Sequence, residues 1–185
     1  MTRTKLCLVA AGAGLVLMFT ARPMFGAQPE KANPQELCKL LTDAKLTLAN
    51  AIETAEKESK GTAVTAYADK EGDMVRVDVT CVAGDAVKWV QIDRAGKVIF
   101  VKDAAEKGAW KGDPKELCKL LTDAKLTLAT AIATAENESK GTAVKAHASK
   151  EGDMVRVDVI CVAGEAVKWV EIDRAGKVIF VRDAP

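Results

Sequence analysis

The sequence predicts an α+β fold: two tandem copies of one unit, each an antiparallel β-meander covered on one face by two helices. The copies are residues 34–104 and 114–185: positions 34–104 return without a gap at 114–184, with about a sixth changed, which indicates one module made twice. Within each copy the apolar residues first recur with a helical period and then at every second position. A content of 49% hydrophobic and 29% charged residues is typical of a folded chain.

Residues 1–27 have the pattern of an export signal. Arg3 and Lys5 precede an apolar run of about 14 residues, which small residues follow. A run of this length is shorter than the roughly 20 residues that span a bilayer, so a retained membrane anchor is the weaker alternative. We therefore expect a periplasmic or secreted protein whose mature chain has no membrane span.

Two helices are predicted at the start of each copy. Asn33 and Asp113 are capping residues, and each stands before a proline that suits the first helical position, Pro34 or Pro114. In the first copy, apolar residues at helical spacing give one helix with Leu37, Leu41 and Ala44, and a second, capped by Thr47, with Leu48, Ala51, Ile52 and Ala55. Residues 105–113 are then the linker between copies.

Four short strands follow Gly61 in the first copy. Apolar residues alternate over residues 62–68, 74–82, 86–93 and 97–101, and the short turns between these segments favour hairpins. Positions 65, 67 and 69 differ from positions 145, 147 and 149, while the residues between them are unchanged. Substitution with a period of two marks a face that core packing does not constrain.

Four cysteines, Cys38, Cys81, Cys118 and Cys161, remain beyond the signal and allow three disulfide pairings. If each copy folds alone, repetition favours Cys38 with Cys81 and Cys118 with Cys161, each pair closing a loop of about 43 residues. That pairing requires a helix break near residues 45–47, because a continuous helix would separate Cys38 from its far end by roughly 30 Å. Free buried thiols are the alternative. Without a CxxC pair, no metal site is expected.

Charge and residue types exclude several functions. The 27 basic and 26 acidic residues nearly cancel, and without a basic footprint a nucleic-acid partner is not expected. His147 is the single histidine and has Tyr67 as its counterpart, so histidine chemistry would exist in one copy only. The acidic turn at residues 69–73 lacks the length and closing glutamate of a calcium loop. We expect no catalysis, no cofactor and no metal.

The face of each meander away from the helices is the predicted binding surface. Alternation places aromatic and arginine side chains there, and these residue types often anchor recognition surfaces. The predicted residues are Tyr67, Arg76, Trp89, His147, Arg156 and Trp169. A protein or peptide is the expected partner. As the alternative, Trp89 and Trp169 pack against each other, between the two units or between two molecules. Strand addition at a sheet edge is a further route to binding.

Residues 46–99 and their copy, 126–179, resemble the PepSY domain. The features that match are a helix with Ala51, Ile52 and Ala55, a glycine before the first strand (Gly61), a VxVxV strand, and a turn with Asp93, Gly96, Lys97 and Val98. Val75 stands where the family usually has an aromatic residue, and cysteines are not a family feature.

The resemblance implies a helix packed on a small antiparallel sheet and a binding or regulatory role. PepSY domains are similar to segments of thermolysin-like metallopeptidase propeptides, which are thought to inhibit the peptidase or assist its folding. The expected function is therefore an exported, non-catalytic protein that restrains or inhibits an envelope or secreted peptidase in trans. The alternative is a structural scaffold of the envelope that self-associates through its sheet faces.

Overall fold

The computed structural model describes residues 32–104 and 113–184, which build one eight-stranded antiparallel sheet with helices packed on one face. The first repeat contains α1 (Pro34–Ala44), α2 (Leu48–Ser59), β1 (Thr62–Glu71), β2 (Met74–Ala83), β3 (Ala86–Ile92) and β4 (Val98–Asp103). The second contains α3 (Pro114–Ala124), α4 (Leu128–Ser139), β5 (Thr142–Glu151), β6 (Met154–Ala163), β7 (Ala166–Ile172) and β8 (Val178–Asp183). The predicted fold class and element order are confirmed. The predicted signal, residues 1–27, and all but the last residue of the predicted linker lie outside the described residues.

Local capping sets the helix boundaries. The side chain of Asn33 accepts a 2.7 Å hydrogen bond from the backbone N–H of Glu36, and Pro34 occupies the first turn of α1. Lys45 then adopts a left-handed conformation, with φ of 53°, which ends α1. Thr47 caps α2 by accepting a 3.1 Å hydrogen bond from the backbone N–H of Asn50. The predicted break near residues 45–47 is therefore present.

The two meanders join edge to edge through their first strands. The sheet order is β4-β3-β2-β1-β5-β6-β7-β8, and we call the β1–β5 pairing the seam. Thr65 pairs with His147, Ala66 with Ala146, and Tyr67 with Lys145. Because Ala66 pairs with its own counterpart, the two repeats are related by an approximate twofold axis at the seam. The sequence pattern indicated separate small units and did not predict this shared sheet.

The core lies between the sheet and the helices. Val75, Val77, Val79 and Cys81 of β2 are buried on the helix side, as alternation predicts. They belong to one cluster with apolar residues of α2 and its counterpart α4, and these two helices also contact each other. The shorter helices bridge the repeats: α1 packs against β5 and β6 as well as β1 and β2, and α3 packs in the reciprocal way. One core therefore stabilises both repeats.

Candidate functional site

The sheet face away from the helices, here called the outer face, is one surface that crosses the seam. Directly paired residues of antiparallel strands project to the same side of a sheet. One row of side chains crosses all eight strands through Lys102, Trp89, Thr80, Thr65, His147, Asp158, Glu171 and Phe180. A second row runs through Phe100, Gln91, Asp78, Tyr67, Lys145, Ile160, Trp169 and Arg182.

The residues predicted for a binding face all lie on the outer face. Four of them, Tyr67, Trp89, His147 and Trp169, stand in the two rows. The two arginines lie next to these rows, paired across the strands with Asp69 and Ser149. The side chain of Tyr67 is 38% exposed, whereas both tryptophans are half-buried. The structure therefore gathers the predicted residues on one surface, and their role in binding stays a prediction.

The two tryptophans do not pack against each other within the chain. Trp89 lies on β3 and Trp169 on β7, so five strand spacings, about 24 Å, separate them. Each instead meets the phenylalanine of the neighbouring edge strand, with ring centroids 5.1 Å apart for Trp89 and Phe100 and 6.0 Å apart for Trp169 and Phe180. The outer face thus presents two separate aromatic clusters.

A buried carboxylate organises the cluster of the first repeat. Asp78 is 1% exposed, and its Oδ1 accepts hydrogen bonds from Trp89 Nε1 at 3.0 Å and from Gln91 Nε2 at 2.9 Å. Its Oδ2 lies 3.6 Å from Arg76 Nε. Burial raises the pKa of Asp78, although the Gln91 hydrogen bond, the Arg76 charge and the Trp89 hydrogen bond oppose that rise. Asp78 therefore fixes the orientation of the Trp89 indole.

Arg76 is held among three carboxylates. Besides Asp78, it binds Asp69 at 2.8 Å and Glu71 at 3.1 Å. Burial acts to lower the pKa of Arg76, but the hydrogen bond to Asp69 and the surrounding acidic charges raise it overall. Beside this group, burial and the charges of Asp78 and Asp69 raise the pKa of Tyr67. The phenol therefore keeps its proton at neutral pH and can donate a hydrogen bond to a partner.

The second repeat uses the same scaffold with different contacts. Asp158 accepts hydrogen bonds from Trp169 Nε1 at 2.8 Å and Ser149 Oγ at 3.1 Å, and its Oδ2 lies 3.4 Å from His147 Nε2. Arg156 pairs with Glu171 and Glu151.

The aromatic rings of the two repeats also have different cationic neighbours. The guanidinium of Arg182 lies 4.0 Å from the Trp169 ring centroid, whereas Lys102 of the first repeat lies over Phe100 at 4.7 Å. An identical tryptophan and aspartate are therefore surrounded by different polar groups in the two halves.

The strand differences between the repeats fall on the outer face. They are Thr65 and Lys145, Tyr67 and His147, Asp69 and Ser149, Thr80 and Ile160, Gln91 and Glu171, and Lys102 and Arg182. The helix-facing residues of each strand are identical in the two copies. The duplication has thus kept one core and produced two chemically different halves of one surface.

Sequence reasoning did not single out Asp78 and Asp158. The available signal was a carboxylate in the middle of the VxVxV strand, between Val77 and Val79. Alternation alone assigns such a residue to the outer face, where it is expected to meet water. Its burial arises from the large side chains of the neighbouring strands, which cover it.

The four cysteines within residues 32–104 and 113–184 are free thiols in this structure, so the predicted disulfides stay a prediction. Cys81 and Cys161 are buried, and burial raises the pKa of each thiol to about 11. In the same parts of the chain, no group of three or more His, Cys, Asp or Glu residues is placed to hold a metal ion. No helix there is long and apolar enough to cross a membrane.

Comparison with known proteins gives no family. No protein-family model matches the chain, so PepSY membership is not shown, and no curated protein matches it. Among solved structures, the fold is similar to that of a putative lipoprotein from Clostridium difficile 630. The TM-score is 0.41 and the sequence identity 16%, over 72% of this chain and 90% of the other.

Proposed function

We propose that this chain is an exported, non-catalytic binding protein whose outer face recognises a polypeptide partner. The PepSY resemblance favours a secreted or envelope peptidase, restrained in trans, as that partner. The observation that carries the proposal is the confinement of strand differences to the outer face. Export is inferred from residues 1–27.

The pattern of change favours recognition over unselected drift. Thr80 is 2% exposed and Gln91 is 5% exposed, so the differences on this face include residues that neighbouring side chains cover. The tryptophan at the centre of each cluster is unchanged. Invariant aromatic anchors surrounded by variable polar groups are what a duplicated binding surface needs, because anchors provide affinity and their surroundings provide specificity.

The anchors are also held in place before any partner arrives. Each indole N–H donates to a buried or half-buried aspartate, Asp78 or Asp158, and each ring contacts a phenylalanine. Side chains that are already fixed lose little conformational freedom on binding, so more of the contact energy appears as affinity.

The size of the surface suits a folded or extended polypeptide. Eight strands spaced by about 4.8 Å make the sheet about 34 Å wide, and its strands are up to 10 residues long. A face of these dimensions matches the roughly 800 Å² that each partner contributes to a standard protein interface.

The repeats supply matched variants to test this proposal. A face variant, Thr65→Lys with Tyr67→His and Thr80→Ile, gives the first repeat three of the six outer-face residues that differ in the second. A control variant, Asn50→Thr with Glu53→Ala and Lys57→Asn, does the same on the exposed side of α2. Both sets replace residues by those that the same scaffold already carries, so both variants should fold.

The native chain and both variants would be used as bait in extracellular or periplasmic extract, and any captured peptidase would then be purified and titrated directly. We expect the native chain and the control variant to bind the peptidase and lower its activity, and the face variant to bind at least tenfold more weakly. Equal binding by the face variant would exclude the altered part of the outer face, positions 65, 67 and 80, from the binding surface. Binding with no change in peptidase activity would exclude the inhibitory role.

A self-associating scaffold is the second candidate, and the sheet edges favour it. The edge strands β4 and β8 expose Ile99 (51%), Val101 (37%), Ile179 (44%) and Val181 (38%). Exposed apolar edge strands are templates for pairing with another chain. Light scattering over a hundredfold range of concentration separates the two functions: growth in mass supports the scaffold, and a constant monomeric mass argues against it.

A further inference from the structure

The first turn of α1 lies far from the cysteine that repetition assigns to Cys38. Glu36 pairs with Lys70 at 2.6 Å, and Lys70 is near the end of β1. Cys81 pairs with Ala63, near the beginning of β1. Lys70 and Ala63 are seven residues apart along β1, which corresponds to about 23 Å. Cys38, two residues after Glu36, is therefore displaced along β1 from Cys81 by more than a disulfide spans, about 7 Å between Cα atoms.

Cys161 of the other repeat lies at the same end of β1 as this first turn. The seam is antiparallel, so the end of β1 runs beside the beginning of β5, where Cys161 pairs with Ala143. The Nε2 atom of Gln35 donates a 3.2 Å hydrogen bond to the carbonyl oxygen of Glu165, in the turn that follows β6. The helix α1 also packs against β5 and β6.

The reciprocal arrangement holds for Cys118. Glu116 pairs with Lys150 at 2.6 Å, which places the first turn of α3 at the end of β5. That end runs beside the beginning of β1, and α3 packs against β1 and β2. Burial is the main cause that raises the pKa of Cys81, and the charge of Cys118 is a further contributor. The packing of α3 on β1 and β2 thus places Cys118 on the helix side of the strand that carries Cys81, and the pKa contribution agrees with this placement.

We propose that the oxidised protein contains two disulfides that cross between the repeats, Cys81 with Cys118 and Cys38 with Cys161. Cys81 and Cys161 face the helices from β2 and β6, and the two helical cysteines pack against the same core. The crossed bonds join α3 to β2 and α1 to β6, so they hold the seam closed from the helix side. This pairing replaces the pairing within each repeat and does not depend on the proposed partner.

Each disulfide forms by exchange with a disulfide donor such as oxidised glutathione. The thiolate of the half-buried Cys118 attacks one sulfur of the donor, giving a mixed disulfide and releasing one thiol. The thiolate of Cys81 then attacks the Cys118 sulfur and releases the second thiol. Two protein thiols thus lose two electrons and two protons in total, and the donor gains both.

Trypsin separates the four cysteines, so peptide mapping tests the pairing directly. Cleavage after lysine and arginine gives peptides 32–39, 77–88, 116–119 and 157–168, each with one cysteine. The two strand peptides differ in mass through Thr80 and Ile160 and through Asp85 and Glu165. The full chain would be equilibrated with oxidised and reduced glutathione, alkylated and digested without reduction.

We expect peptide 77–88 linked to 116–119, and peptide 157–168 linked to 32–39, with both species lost on reduction. Linkage of 77–88 to 32–39, or alkylation of all four cysteines, would overturn the proposal.

Two double variants give a second readout by thiol titration in denaturant. Cys38→Ser with Cys161→Ser removes one crossed pair and should leave Cys81 and Cys118 bonded, with no titratable thiol beyond Cys7 if the leader is retained. The matched variant, Cys38→Ser with Cys81→Ser, removes one member of each crossed pair and should leave two further titratable thiols. The opposite pattern would establish pairing within each repeat.

Discussion

The aspartate at the centre of each outer-face cluster turns a tryptophan into a fixed anchor. At Asp78, two N–H donors converge on a single carboxylate oxygen, and Arg76 approaches the other oxygen. Removal of this carboxylate leaves the Trp89 and Gln91 donors without their acceptor on a largely covered surface. Asp78 therefore contributes both to the stability of the sheet and to the fixed orientation of Trp89 on the outer face.

Two replacements of Asp78 distinguish the contribution of its hydrogen bonds to stability from the contribution of its charge. We expect Asp78→Ala to lower the free energy of unfolding by about 2 kcal/mol, because buried donors without an acceptor cost roughly 1–3 kcal/mol. Asp78→Asn keeps an oxygen acceptor and should lose less than half of that. Urea unfolding followed by tryptophan fluorescence measures both. Equal losses would show that the charge, and not the hydrogen bonds, carries the contribution.

The raised pKa of Asp78 predicts a pH dependence. Burial disfavours the ionised carboxylate in the fold, so the folded state binds the proton more tightly than the unfolded chain, whose aspartates titrate near pH 3.9. As pH falls through the folded pKa, this penalty is relieved. The unfolding free energy of the native protein should therefore rise relative to that of Asp78→Asn between pH 7 and pH 4. A constant or falling difference in urea titrations would contradict the predicted shift.

For individual residues, the sequence predicted the face of the sheet on which a side chain lies better than it predicted the burial of that side chain. Tyr67, Trp89 and Arg76 were assigned to the correct face because strand alternation alone decides which side a residue takes. The importance of Asp78 could not be predicted, because its burial depends on side chains from two other strands. The neighbours from those strands, Tyr67 on β1 and Trp89 and Gln91 on β3, are 11 to 13 positions away in sequence.

Among the secondary-structure elements, the break between α1 and α2 was predicted from a Cys38–Cys81 disulfide, which itself stays a prediction. The structure packs α1 on β1 and β2 of its own repeat and on β5 and β6 across the seam, with Gln35 bonded to Glu165. The break follows instead from the left-handed Lys45 and the Thr47 cap. Capping signals were present in the sequence, but no local signal states the direction in which a helix leaves its turn.

Gly61, in the connection from α2 to β1, lies too close to β2 to carry a side chain. A Cβ atom at Gly61 would lie 2.6 Å from the carbonyl oxygen of Val82 and 2.8 Å from its carbon, which are backbone atoms that cannot move aside cheaply. We expect Gly61→Ala to lower the free energy of unfolding by about 3 kcal/mol, the upper range for overpacking. Gly141→Ala should behave in the same way, because its surroundings are identical.

Gly72 provides the control for this prediction. It has a φ of 61° and open space around its Cβ position, so Gly72→Ala should cost only about 1 kcal/mol of conformational strain. Thermal or urea unfolding of the three variants compares the loss of stability caused by a steric clash, at Gly61 and Gly141, with that caused by a positive φ, at Gly72. A loss at Gly61 no larger than that at Gly72 would show that the α2–β1 connection relaxes.

For the whole molecule, the seam is the feature that the repeat pattern did not predict. Each meander read alone has β1 and β4 as its edges, and the sequence does not show which edge pairs with the other repeat. The structure pairs the two β1-type edges about a twofold axis and spreads α1 and α3 across both repeats. The result is one platform with two different halves, rather than two independent modules.

The twofold seam predicts the behaviour of a single repeat. Because Ala66 pairs with its own counterpart, β1 of one copy has the register to pair with β1 of a second copy. Residues 32–104 produced alone should therefore form a dimer that rebuilds the eight-stranded sheet. With oxidised glutathione, Cys38 of each copy should bond Cys81 of the other, giving a dimer in a non-reducing denaturing gel.

Light scattering tests the seam, because it reports the mass in solution. The non-reducing denaturing gel tests the crossed disulfides, because it reports covalent linkage. The Cys81→Ser variant of the single repeat should remain a dimer in solution, because strand pairing and helix packing are intact, but it should run as a monomer in the denaturing gel. A single repeat that is monomeric in solution and closes its own disulfide would contradict both the twofold seam and the crossed pairing. If the oxidised single repeat is a dimer in solution but not covalently linked, the twofold seam is supported and the crossed pairing is contradicted.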